Sequence, residues 1–227
     1  MLSLGPTCDL CHDNNWLLVL ATGRSGSTSV MSMLNALPNT YIAGENYDMA
    51  GGLFDLFMKA KTSEHMGVGK DKRGAWAHRH VDEHTLLCDL QNYARDAIGA
   101  TQTAGTIGWK EIRYQSKSLP FLRQLFPCAK YIVIVRRKLE NQSRSAWFKT
   151  LRRSHQQKVS LLKEKTQLLV EWGEKHHNSS VLLHTEDMTV ERFNAIARWL
   201  GHTCHFNHVS HANINGGYNP DSSAECR

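Results

Sequence analysis

Residues 16–29 read Trp16-Leu17-Leu18-Val19-Leu20-Ala21-Thr22-Gly23-Arg24-Ser25-Gly26-Ser27-Thr28-Ser29. The opening run of apolar residues describes a strand covered on both faces, as in a parallel sheet. The polar stretch after it turns the chain, and Ser27 to Leu37 has the periodicity of a helix. Glycines let such a loop turn tightly, its hydroxyls add donors, and the helix behind it presents a positive N-terminal end. A strand, loop and helix in this order suit a bound phosphate or sulfate. The loop is not a Walker A motif, which needs G-x-x-x-x-G-K-[ST] with a lysine that reaches the outer phosphates. Here Gly26 is followed by Ser27, Ala21 stands five positions before Gly26, and the cation comes early, as Arg24.

Outward from this unit, strands are expected at Thr40–Ala43, Thr106–Glu111, Tyr131–Val135 and Ser180–His184. Helices are expected over Leu86–Ile98 and within Ser116–Phe126, starting near Pro120. A long helix carries Val159, Leu162, Thr166, Leu169 and Gly173 on one face. A last helix spans Met188–Leu200, with Asp187 as N-cap and Gly201 as stop. Gly51–Gly74 reads as a helix followed by a loop that overlies a site. The alternation predicts an α/β, three-layer fold whose central, mainly parallel sheet of about five strands is flanked by helices. One domain over residues 16–214 is expected, between tails at 1–15 and 215–227.

The chain has 227 residues, 41% of them hydrophobic, and a net charge of +6 from 27 basic and 21 acidic side chains. That excess suits an anionic ligand; with no nucleic-acid motif present, nucleic acid is not expected as a partner. Met1–Asn15 lacks a signal-peptide layout, and Trp16–Ala21 is far short of the ~20 apolar residues of a membrane helix. A soluble cytoplasmic enzyme without a membrane span is therefore expected. The six cysteines are scattered, without the density of a disulfide scaffold. Cys8-Asp9-Leu10-Cys11-His12 matches the C-x-x-C-H haem-attachment pattern, or half of a zinc site completed by Cys204 and His205, or a chance match in a tail. The sequons at Asn141 and Asn178 read as accidental.

The loop with G-R-S-G-S-T-S at its centre resembles the 5′-phosphosulfate loop of sulfotransferases that use 3′-phosphoadenosine-5′-phosphosulfate (PAPS), in particular carbohydrate-type and bacterial lipid-type members. The resemblance implies that Arg24, Ser25, Gly26, Ser27, Thr28 and Ser29 hold the 5′-phosphosulfate. Arg24, where other branches carry lysine, would neutralise the departing charge. The family also places an arginine at the end of a central strand and a serine in the next helix, for the 3′-phosphate. Arg137 and Ser145 keep the family spacing, and Arg136 and Ser143 are close alternatives. Softer likenesses are Gly108-Trp109-Lys110-Glu111-Ile112-Arg113, Thr185-Glu186-Asp187-Met188, and His211–Tyr218 as a closing loop.

What the resemblance implies is transfer of a sulfuryl group from PAPS to a hydroxyl or amine, with release of PAP (the desulfated nucleotide) and no metal required. The acceptor would be a small molecule or a carbohydrate. Glu45 is the first candidate for the base, where relatives carry an active-site glutamate. Glu111 beside Lys110 comes second, and His78, His80 and His84 third. A kinase-type phosphotransferase and a catalytically silent nucleotide binder are the rival readings.

Overall fold

The computed structural model describes residues 8–11, 15–66, 82–100, 104–211 and 224–227. Strand β1 (Asn15–Ala21) leads through the glycine loop into helix α1 (Ser27–Asn35), and β2 (Thr40–Ala43) follows. Helices α2 (Met49–Met66) and α3 (Glu83–Ala97) precede β3 (Thr106–Glu111), and α4 (Ser118–Leu125) precedes β4 (Lys130–Val135). Two short helices, α5 (Leu139–Ser143) and α6 (Ala146–Lys149), open the way to the long α7 (His155–Lys175). Strand β5 (Ser180–His184), a 3-10 turn at Thr185–Asp187 and α8 (Val190–Leu200) complete the order.

The five strands form one sheet in the order β2-β3-β1-β4-β5, and every pairing is parallel. Side chains alternate across it. Leu17, Val19 and Ala21 pack with Val30, Met33 and Leu34 of α1 and with Phe193 and Ile196 of α8. Trp16, Leu18 and Leu20 pack on the other face with Leu53 of α2, Leu90 of α3, Leu122 of α4 and Trp172 of α7. This double burial explains the unbroken apolar run in β1. At Gly108 a Cβ would lie 1.7 Å from the Leu17 carbonyl oxygen, so only glycine allows β3 this close to β1. The chain leaves β1 toward β2 and later returns on its other side as β4. The crevice over the C-terminal end of β1 is thus a topological switch point, where open α/β sheets bind ligands.

Two expectations need correction. The N-cap of α8 is Thr189, whose hydroxyl accepts the Arg192 amide at 3.3 Å, because Asp187 is taken up by the 3-10 turn before it. The cysteines are not scattered thiols: Cys8–Cys88, Cys11–Cys128 and Cys204–Cys226 are disulfides, and no cysteine is free. That pairing overturns the haem and zinc readings of the C-x-x-C-H segment, since a disulfide sulfur is no thiolate ligand. Residues 8–11 and 224–227 are fastened to the sheet unit. The Leu10 carbonyl accepts from Gln91 at 3.1 Å, and His205 and Arg227 exchange backbone hydrogen bonds of 2.7 and 3.1 Å. Among the described residues, no helix is long and apolar enough to cross a membrane.

Candidate active site

The loop at the end of β1 is held in place by its neighbours. Thr22 donates its amide to the Ile134 carbonyl at 3.3 Å, which anchors the loop to the end of β4. Gln142 of α5, fully buried, donates its side-chain amide to the Gly23 carbonyl at 2.6 Å and to the Thr22 hydroxyl at 3.0 Å. The Thr185 hydroxyl lies 2.6 Å from the Ser25 carbonyl and 3.1 Å from that of Val135. Arg24 and Gly26 are both left-handed, at φ 67° and 77°. Alternating handedness of this kind is how successive amides form an anion-binding concavity. Gly26 is the N-cap of α1 and offers no side chain to it, and the first turn has no acidic residue. The Ser29 amide donates to the Gly26 carbonyl at 3.0 Å, and the amides of Ser27 and Thr28 and the positive dipole end are left for a ligand.

A pocket of about 530 Å³ opens over this loop. Arg24, Lys110, Arg113 and Arg136 line it, against Glu45 as the only carboxylate among the described residues. That excess of positive charge in a crevice favours a polyanion. Gly26, Ser27, Thr28 and Ser29 also line it, whereas Ser25 is fully buried in the loop behind them.

Lys110 is almost wholly buried and spans the pocket floor, 3.0 Å from a Glu45 carboxylate oxygen and 3.3 Å from the Thr28 hydroxyl to which it donates. Glu111 points to the other face of β3, as strand alternation requires. Its carboxylate is buried and accepts amides from Ala50 and Arg113, at 3.4 and 2.9 Å, and the Trp109 indole N–H at 3.4 Å. Burial pushes its pKa up, against the lowering effect of these hydrogen bonds. Glu111 therefore ties the start of α2, and with it the loop carrying Glu45, to the end of β3.

The candidate arginines and serines after β4 are sorted by direction. Arg136 and Ser145 both line the pocket; Arg136 Nε and Ser145 Oγ are buried without a hydrogen-bond partner, as is Ser25 Oγ, although Arg136 Nε lies 3.8 Å from a Glu186 carboxylate oxygen. Buried polar atoms without partners in a cationic crevice fit a ligand rich in acceptor oxygens. Arg137 turns away, clasped to both carboxylate oxygens of Asp187 at 2.6 Å, while its amide donates to Glu186 at 3.1 Å. The Arg137 guanidinium holds the Asp187 carboxyl below its usual range. Ser143 is buried, donates to the Glu140 carbonyl at 2.7 Å and lies 3.3 Å from His155 Nδ1. The structure thus gathers Arg24, Gly26 to Ser29, Glu45, Lys110, Arg136 and Ser145, and directs Glu111, Arg137 and Ser143 elsewhere.

His84 sits on α3 with its ring 3.9 Å from Cys88 Sγ, and it does not line the pocket. His78 and His80 lie outside the described residues, as does most of His211–Tyr218; His211 itself lines the pocket. Residues that sequence reasoning gave no role are Arg113, Thr185 and Gln142. Gln142 drew notice only as the middle of a sequon, and no local pattern announces a contact across 119 positions. Among the described residues, no group of histidine, cysteine and acidic side chains is placed to hold a metal ion.

No curated protein sequence matches the chain significantly. A sulfotransferase from Alicyclobacillus acidocaldarius superposes over 84% of this chain and 81% of its own, with TM-score 0.50 at 13% identity. The sulfotransferase domain of the olefin synthase of Synechococcus PCC 7002 does so over 87% and 76%, with TM-score 0.55 at 16% identity. These likenesses establish the fold alone. The profile described as the sulfotransferase family matches residues 17–196, from β1 into α8, and so takes in the glycine loop and the β4 anchor. On that match, the chain belongs to the sulfotransferase family.

Proposed function

We propose that this protein transfers a sulfuryl group from PAPS to an acceptor hydroxyl or amine and releases PAP. The observation that carries the reading is one crevice in which, among the described residues, an uncapped helix N-terminus and four cationic side chains face a single carboxylate. Arg24, Ser25, Gly26, Ser27, Thr28 and Ser29 hold the 5′-phosphosulfate. Arg136 and Ser145, whose buried Nε and Oγ lack hydrogen bonds, take the 3′-phosphate, and Arg136 meets it beside its 3.8 Å ion pair with Glu186. Arg137 and Ser143 brace the segment between them.

The acceptor oxygen forms a bond to sulfur as the bond from sulfur to the nucleotide's phosphate oxygen breaks. Glu45 takes the acceptor proton, and the electron pair stays on PAP. Arg24 and Lys110 neutralise the charge that develops there, which is where preorganised cations lower a barrier most. As Glu45 is protonated its hold on Lys110 weakens, and the ammonium is left to face the departing phosphate. Glu111 positions the Glu45 loop and is not the base. A phosphotransferase reading gains no support, because Ser27 stands where that chemistry needs lysine.

Three disulfides favour an oxidising compartment over the cytoplasm, where glutathione keeps thiols reduced. The test of the reaction is mass-spectrometric detection of PAP and a sulfated product after incubation with PAPS and a panel of alcohols, sugars and amines. PAP formation that depends on an acceptor supports the reading. A protein that binds PAP and turns over none of the panel would instead fit a silent nucleotide binder.

A further inference from the structure

We infer that the acceptor of this enzyme carries an apolar aryl or alkyl body, bound in a groove that begins one residue beyond Glu45. The inference rests on the sulfuryl-transfer reading and gives its acceptor side a chemical class. Among the described residues four large hydrophobic side chains are conspicuously exposed, Tyr47, Leu56, Met58 and Tyr93, and three of them line this groove. Clustering of that kind, rather than single scattered residues, marks a binding surface. The groove has a volume of about 440 Å³; the buried Met49 and Leu53 of α2 form its floor, and Ala97 of α3 also lines it.

It lies beside the cationic pocket. Asn46 and Tyr47 follow Glu45 in the chain, and the Arg113 guanidinium, which lines the pocket, stands 5.2 Å from the centre of the Tyr47 ring. Tyr47 and Asp48 are consecutive left-handed residues, at φ 49° and 64°. Neither is a glycine, and strain of this kind persists where surrounding structure enforces it, commonly at binding sites. Here it turns the Tyr47 ring outward, with 87% of the residue exposed.

The class of acceptor follows from the polar groups. The groove's polar side chains other than the tyrosines are Asn46 and Asp48, and both are engaged locally. Asn46 donates to the Gly44 carbonyl at 3.3 Å, and Asp48 accepts the Gly51 amide at 3.0 Å. Each keeps capacity for a further hydrogen bond, but Met49, Leu53, Leu56 and Ala97 offer only carbon, so a sugar ring laid along the groove would set most of its hydroxyls against apolar side chains, and unpaired polar groups are costly to bury. An aryl or alkyl frame with one terminal hydroxyl loses nothing there, and that hydroxyl lies toward Glu45.

The test titrates the protein–PAP complex with 2-naphthol and with methyl glucoside, using the native chain and Leu56→Asp. Leu56 is half exposed, so the substitution leaves the core intact, and Tyr93→Ala serves as a second variant. The expected result is naphthol binding at least ~10-fold tighter than the glucoside, with a loss of roughly tenfold in each variant and unchanged PAP affinity. Equal affinity for the two ligands, or no change in either variant, overturns the inference. So does a dimer in light scattering that Leu56→Asp dissolves, because a second copy would then cover the groove. If PAP itself fails to bind, the sulfuryl-transfer reading falls, and naphthol titrated into the free protein still decides whether the groove binds apolar ligands.

Discussion

Gln142 and Gly23, 119 positions apart, are joined by a 2.6 Å hydrogen bond from the buried side-chain amide of one to the carbonyl of the other. The bond connects the helix after β4, which leads to Ser145, with the loop after β1. It also holds a carbonyl of that loop away from the place where an anion would sit. Removing a buried donor and leaving its acceptors unpaired costs ~1–3 kcal/mol. Gln142→Leu is therefore expected to weaken PAP binding by roughly tenfold or more by calorimetry. Unchanged affinity would mean that the loop keeps its shape without this tie.

The two neighbouring arginines should separate cleanly. Arg136→Ala is expected to weaken PAP binding by ~1–3 kcal/mol, the range for losing a charge-assisted hydrogen bond. Arg137→Ala should leave PAP affinity within about twofold, because its guanidinium is committed to Asp187. The reverse outcome in the same titration would restore the Arg137 register.

Glu45→Gln should lower kcat while leaving PAP affinity nearly intact, since removing a general base typically costs about 10²–10⁴ in rate. Full turnover in a PAPS assay would remove Glu45 as the base and direct attention to His211 at the pocket rim.

Glu111 makes a prediction about stability and pH. Its pKa in the folded protein is raised, chiefly by burial, so the folded state holds a proton that the unfolded state has already released. Between the ordinary carboxylate value and the raised one, stability therefore falls as pH rises. The native protein's Tm relative to that of Glu111→Gln should be lowest above the raised value and should climb as pH drops through that window. A difference in Tm that does not vary with pH would contradict this account.

The Cys204–Cys226 disulfide closes the C-terminal segment onto the sheet unit across 22 positions. Replacing both cysteines with serine is expected to cost ~2–4 kcal/mol in denaturant unfolding. No loss would show that the bridge adds nothing to the contacts already made by Phe206 and Ala224.

Much of the fold is written locally, and the site only in part. The apolar runs at β1 and β4 and the periodicity of α7 are properties of short windows, so strand and helix positions can be read from them. Glycine and hydroxyl content likewise reveals the loop at Thr22–Ser29. What windows do not contain is direction. Arg136 and Arg137 are chemically alike, and only the folded positions of Glu186 and Asp187 decide which one faces the pocket. The cysteines pair across 80 and 117 positions, separations at which spacing carries no information about partners. Lys110 and Glu111 could be separated in principle by strand alternation, once the side of β3 that faces the loop is known.

The central claim is that the crevice over β1 binds an adenosine bisphosphate, and calorimetric titration with PAP beside ATP plus magnesium tests it most directly. The account predicts tight PAP binding and weak ATP binding in the native protein. Absence of PAP binding, or ATP binding in its place, would contradict it.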